Sequence, residues 1–283
     1  MIALVILTHT ERERLATHLP ALLSQQGVDY EIIVVDMHSE DDTIDLLKAM
    51  EEEHHCLRHL ALPVNAKDIS YERLALHLGM RAAIASRVLL LDADTEVPSD
   101  HWLVDVLQAW SPDYGMVLVP TMRTRTKNCG DYLTAGHEAW RNSLYLRQST
   151  RHALFRAGNA IVGLEKEMFL RYNAPAGLLA LKTGAMDIFV ARNAREENTL
   201  VITDPALFPC RDACAGSHFW SQRRLFDAET SRHLPRRPLR GVTYMLHCMC
   251  TIHRGSLVYG LQDLYDNIRW CVTSKKTFTK KHY

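Results

Sequence analysis

Hydrophobic and polar positions divide the first part of the chain into a repeating alternation. Residues 2–7 and 88–91 are compact apolar runs, and 31–36 has one at its centre; all three read as strands covered on both faces, and residues 57–62 as a short strand. Between them the apolar positions fall at helical spacing: Leu15, Leu19, Leu22 and Leu23, then Ile44, Leu47 and Met50, then Leu74, Leu78 and Ala82 within a helix over residues 71–85. Thr10 followed by Glu13 has the form of a capping box for the first of these helices. The order β-α-β-α-β-α-β predicts a largely parallel sheet with helices on both faces.

Beyond Asp94 the alternation loosens. Residues 102–110 read as a helix, 115–120 as a strand, 121–128 as a polar basic loop and 131–146 as a helix. A glycine-bracketed strand over 158–164 follows, then a helix over 165–172, a loop of small residues over 173–184, a helix over 186–194 and a short strand over 200–203. From Pro205 onward the pattern gives helices and basic loops and no strand. The expected architecture is an α/β domain over residues 1–205 with a helical, basic extension over 206–283.

At 283 residues and 47% hydrophobic content, the chain can bury a sizeable core. Lys+Arg and Asp+Glu stand at 33 each, which argues against a surface built to bind a polyanion. Positive charge is nevertheless gathered in residues 232–240 and in the tail 275–282. Met1 leads straight into the first apolar run with no basic leader, and no apolar run approaches the roughly 20 residues that span a bilayer. The seven cysteines, odd in number and irregular in spacing, read as reduced thiols, so a cytoplasmic location is expected.

The chemistry is concentrated where strands end. The strand over 88–91 runs into Asp92-Ala93-Asp94, and Pro98 stops it. Alternate side chains of an extended chain point the same way, so both carboxylates can face one point and hold a hard divalent cation, Mg²⁺ or Mn²⁺. The competing reading makes Asp94 a cap for the helix from about Ser99. Ligands of open α/β sheets sit at this end of the strands, which favours the site. Asp36, ending the second strand, can accept from a base or ribose donor or can cap the next helix. Arg73 on the third helix could meet a nucleotide or lie solvated. Cys210, Cys214 and His218 recur every four residues. No fourth ligand for zinc is placed, so that site is set aside. The first glycine is Gly27, so a dinucleotide fingerprint and a P-loop are both disfavoured at the first strand–helix turn.

These stretches, taken in order, resemble the family 2 glycosyltransferases: residues 2–8, Gln25-Gln26, the run from Glu31 through Asp36 to Thr43, and Leu89-Leu90-Leu91-Asp92-Ala93-Asp94. The resemblance covers about residues 1–205 and implies a GT-A fold, a Rossmann-like nucleotide-sugar-binding sandwich. It implies nucleotide contacts at Thr8, Asp36 and Asp92, a metal ligand at Asp94 beside Asp92, and a catalytic base at Asp187, which would make the reaction inverting. His218 resembles a late histidine that reaches back to the metal in some relatives. The implied donor is a nucleotide-diphospho-sugar, uracil being the commonest base, and the implied acceptor a surface glycan or lipid-linked precursor. Residues 232–240 and 244–270 could then lie on an anionic membrane surface or pack as a lid.

Departures bear on this. Met37 and Met186 stand where the family usually has acidic residues, and the Gln-x-x-Arg-Trp motif of processive synthases is absent. A helix-dipole carboxylate is the other reading of Asp187. A non-catalytic sugar-nucleotide-binding relative is a second hypothesis. A sugar-phosphate nucleotidyltransferase is a third, disfavoured because residues 8–14 lack glycine.

Overall fold

The computed structural model describes residues 1–62, 70–123, 157–158, 160–172 and 183–212, with Thr134, Ala135, Glu138, Asn142, Leu225 and Phe226. The basic stretch 232–240, residues 244–270, the tail 275–282, Cys214 and His218 lie outside the described residues, as does most of the expected helix over 131–146.

The strands are β1 (Ile2–Thr8), β2 (Tyr30–Asp36), β3 (Leu57–Ala61), β4 (Arg87–Asp92), β5 (Thr95–Glu96), β6 (Met116–Val119), β7 (Met122–Arg123), β8 (Ile161–Glu165), β9 (Thr199–Val201) and β10 (Cys210–Arg211). The helices are α1 (Arg12–Leu23), α2 (Thr43–Glu53), α3 (Tyr71–Ala82), α4 (Trp102–Ala109), α5 (Lys166–Tyr172) and α6 (Ala185–Asn193). Among the described residues, a seven-stranded sheet runs β3-β2-β1-β4-β8-β6-β9, and a three-stranded sheet runs β5-β10-β7. In the large sheet β8 is antiparallel to both its neighbours, and the other pairings are parallel. The expected α/β sandwich is what forms.

Alternation within the strands sends side chains to two separate layers. Ile2, Leu4 and Ile6 of β1 and Ile32 and Val34 of β2 pack with Leu15, Leu19 and Leu22 of α1, Leu47 of α2 and Trp102, Leu103 and Val106 of α4. Ala3, Val5, Ile33 and Val35 face the other way, onto Ala75, Leu76 and Met80 of α3, Phe169 of α5, and Phe189 and Val190 of α6. Strands covered on both sides need apolar residues at consecutive positions, hence the unbroken runs.

Sheet and helices approach closely at Gly163 in β8. A Cβ there would lie 2.3 Å from Val117 Cγ1, 2.7 Å from Leu89 Cδ2 and 2.9 Å from Trp110 Cζ3. Gly163→Ala is therefore expected to cost about 1–3 kcal/mol through overpacking. The measurement is the urea midpoint at unchanged slope. An unshifted midpoint would mean that β8 and Trp110 can separate freely.

Three expectations are corrected. Thr10 does not cap α1. It takes φ of 56°, its amide donates to Ser39 Oγ at 2.8 Å, and Glu11 holds the cap position without a side-chain bond. The third helix stops at Ala82, short of residue 85, because Glu31 Oε1 accepts from the amides of Ile84 and Ala85 at 2.6 and 2.8 Å. Beyond Pro205 the chain does make a strand, β10, which pairs antiparallel with β5 and parallel with β7.

Candidate active site

Sheet register assembles the site. Thr8 lies beside Asp36, and Leu7 beside Asp92, so β1, β2 and β4 end at one edge. Thr8 and Asp36 are buried, and Thr8 Oγ1 has no hydrogen-bond partner among the described residues. Asp36 does not cap α2, whose cap position is Asp42. Its Oδ2 accepts from the Ser39 amide at 3.2 Å and its Oδ1 accepts the Ser39 hydroxyl, so the strand–helix turn folds back onto the carboxylate. That turn needs a left-handed residue, and His38 supplies it at φ of 62°. The His38 ring sits edge-on to Tyr71, with centroids 5.3 Å apart, and its Nε2 is buried without a partner among the described residues. An unpartnered hydroxyl and an unpartnered imidazole nitrogen at one strand edge suit a polar ligand with both donors and acceptors. Arg73 belongs to the first turn of α3 and is 6% exposed, which overturns the solvated-helix reading. Burial pulls its guanidinium below its usual pKa.

The aspartate pair is set differently from expectation. β4 ends at Asp92, a two-residue turn follows, and β5 begins at Thr95 before Pro98 is reached. The Asp94 side chain is 6% exposed and that of Asp92 is 62% exposed. Asp94 caps no helix, since the position before α4 is His101. Instead Arg211 of β10 joins both carboxylates. Its Nε–H donates to Asp94 Oδ1 at 2.8 Å, and its Nη1 lies 2.8 Å from Asp92 Oδ2. Burial works against the Arg211 charge, but Asp92, Asp94 and Glu138 outweigh it and hold the guanidinium above its ordinary pKa.

Further charges surround this group. Arg14 pairs with Glu11 at 2.7 Å and lies 3.9 Å from Asp212. His18 Nε2 is 3.1 Å from Asp212 Oδ1. Arg123 pairs with the buried Glu138 and donates from Nη1 to the Asp212 carbonyl. Burial pushes the Glu11 carboxyl up, Arg14 pulls it down, and Asp92 and Asp94 add to the rise. Among the described residues no cluster of three or more His, Cys, Asp and Glu side chains could hold a metal ion. Among the described residues, Asp92 and Asp94 offer hard carboxylate oxygens of the kind that Mg²⁺ and Mn²⁺ take.

Asp187 enters from the other side of the sheet. Gly184 takes φ of 79° and turns the chain into α6, placing Asp187 in the first helical turn at 2% exposure. Its Oδ1 accepts from the Gly158 amide at 3.0 Å. Gly158 precedes β8, and β8 runs antiparallel to β4 with Val162 opposite Leu90. The chain before β8 therefore lies past the end of β4, at the edge where Asp92 and Asp94 emerge. Asp36, Asp92, Asp94 and Asp187 thus share one edge of the sheet. The sequence singled these out, but not His38, Tyr71 or Arg211. Arg211 carries no local signal, because the residues it meets lie far away in the chain.

The model of the family described as "Glycosyl transferase family 2" matches residues 3–167. No curated protein matches the chain. Among solved structures, the mannosyltransferase PcManGT from Pyrobaculum calidifontis, in complex with GDP-Man and Mn²⁺, is similar at 17% identity and a TM-score of 0.57, covering 100% of this chain and 80% of that one. TarS 1-349 of S. aureus, in complex with UDP, is similar at 14% identity and a TM-score of 0.52, covering 85% and 68%. Glucosyl-3-phosphoglycerate synthase from Mycobacterium tuberculosis, with Mn²⁺, UDP and glucosyl-3-phosphoglycerate, is similar at 15% identity and a TM-score of 0.50, covering 83% and 81%.

Proposed function

Because the chain belongs to glycosyl transferase family 2, we propose that it moves a sugar from a nucleotide-diphospho-sugar, in the first instance a UDP-sugar, to a hydroxyl of a glycan or lipid-linked acceptor with inversion at the anomeric carbon. The observation that carries this reading is that Asp36 and Asp92 end the two strands that flank β1 at one sheet edge, with Asp94 two residues on and Asp187 bonded to Gly158 ahead of β8. Thr8 and Asp36, with His38 and Arg73 nearby, form the nucleoside end. Asp92 and Asp94 mark the diphosphate end. A divalent cation there, such as the Mn²⁺ present in the PcManGT and mycobacterial complexes, would supply positive charge for the leaving diphosphate.

Asp187 is the base in this reading. It accepts the acceptor hydroxyl's proton as that oxygen bonds to the anomeric carbon, and the bond from that carbon to the diphosphate oxygen breaks. The Gly158 amide donates to Asp187 Oδ1 and fixes the carboxylate's direction. The basic residues 232–240 support peripheral contact with anionic lipid on the cytoplasmic face, where lipid-linked acceptors would be met.

The test is a melting-temperature screen of UDP, GDP and TDP with Mn²⁺. A ligand of the folded state at a hundredfold excess over its dissociation constant adds about 2.7 kcal/mol. One of the three is expected to raise the melting temperature of the parent and to lose that effect in Asp36→Ala. If none of them stabilises the parent, the donor reading is wrong.

A further inference from the structure

The position of Arg211 bears on how the aspartate pair is kept when no donor is present. Two carboxylates match the charge of a divalent cation. With a guanidinium between them, the group presents a single net negative charge, and each carboxylate has already turned an oxygen toward nitrogen at 2.8 Å. A cation bound by both carboxylates at about 2.0–2.1 Å would have the guanidinium charge beside it in a poorly screened setting. Arg211 is 17% exposed at its side chain and Asp94 6%, so water does little to soften that repulsion.

We propose that Arg211 is the built-in counter-ion of Asp92 and Asp94, and that it and a divalent cation exclude each other from the pair. This rests on the reading of Asp92 and Asp94 as the diphosphate end of the donor site.

The backbone of Arg211 is in no position to leave. Residue 211 pairs with Thr95 on one side and Arg123 on the other. The next residue, Asp212, is held by His18 through its side chain and by Arg123 through its carbonyl. Exchange is therefore a swing of the side chain alone. Nη2 has no partner among the described residues, and a guanidinium carries five N–H donors in a planar fork, a shape matched to phosphate oxygens. A guanidinium released from the carboxylates would find its next partner in the donor's diphosphate. In this way the same side chain neutralises the pair before binding and the phosphates after it. Burial of Asp94 explains why the counter-ion is needed at all, because an unpaired charge at such exposure is costly to the fold.

The experiment is a calorimetric titration of Mn²⁺ into the nucleotide-free protein. The variants are Arg211→Gln, which keeps bulk without charge, and Arg211→Lys, which keeps charge without the fork. Arg211→Gln is expected to bind Mn²⁺ at least tenfold more tightly than the parent, and Arg211→Lys only a few-fold more tightly. Equal affinity in the parent and Arg211→Gln overturns the exclusion. Should Arg211→Gln fail to fold, Arg211→Met, which also removes the charge, overturns it equally if it binds Mn²⁺ at the parent's affinity. The same titration is repeated with UDP and with GDP. If parent and variants take up no Mn²⁺ in any of these conditions, the metal reading of the pair falls and the exclusion with it.

Discussion

Replacing Asp187 by Asn is expected to slow sugar transfer by about 10²–10⁴-fold, the usual contribution of a general base, while donor affinity stays at the parent's value. Asn keeps the size of the side chain and an oxygen that can still accept from the Gly158 amide, so the geometry around α6 survives. What it lacks is the capacity to take a proton. The competing role, a carboxylate at a helix start, makes a different forecast. A charge in the first turn contributes about 0.3–1 kcal/mol to stability, and its loss would lower the melting temperature slightly without touching turnover. Steady-state transfer and a melting curve on the one variant separate the two. Normal turnover would remove Asp187 from the chemistry and leave the inverting mechanism without its base.

Trp102→Ala is expected to cost about 3–5 kcal/mol, the range for deleting a large buried aromatic. Trp102 is fully buried at the start of α4, and its Nε1–H donates to the Leu207 carbonyl at 2.9 Å. The indole therefore does two things. It fills the layer beneath β1 and β4, and it fastens the 3₁₀ turn Pro205–Leu207, from which the chain passes directly into β10. Trp102→Phe separates these roles. It keeps most of the apolar contact and abandons the Leu207 carbonyl, a loss of about 1 kcal/mol. Urea unfolding of both variants gives the two numbers. A change below about 1 kcal/mol in the alanine variant would contradict the tight packing described for this layer.

The sheet was readable from the sequence because its strands are buried on both faces, and burial writes itself as consecutive apolar residues. The positions of Asp36 and Asp92 followed for the same reason: a parallel register carries strand ends to one edge wherever the strands start together. Local signals failed where a distant partner competed for the same group. Thr10 had the sequence of a cap, yet Ser39 takes its amide. The third helix had apolar residues enough to run on, yet Glu31 claims the amides beyond it. β10 is two residues long and includes an arginine, so no periodicity can reveal it. The identity of Asp94's partner was hidden likewise. An arginine more than a hundred positions away can be placed only by the fold. His218 and the basic segment 232–240 fall outside the described residues.

The three-stranded sheet has a consequence for the order in which the molecule is made. β1, β2 and β3 meet through short crossovers, whereas Cys210 pairs with Glu96 and Met122 across much longer stretches of chain. Contacts between sequence neighbours form early in folding, and those that close long loops form late. During synthesis the asymmetry grows, since the amino-terminal strands leave the ribosome well before residue 211 exists. The parallel layers can therefore be in place while Asp94 still lacks its guanidinium and remains open to water. Asp94 gains its partner only after the strand that leads into it has been made.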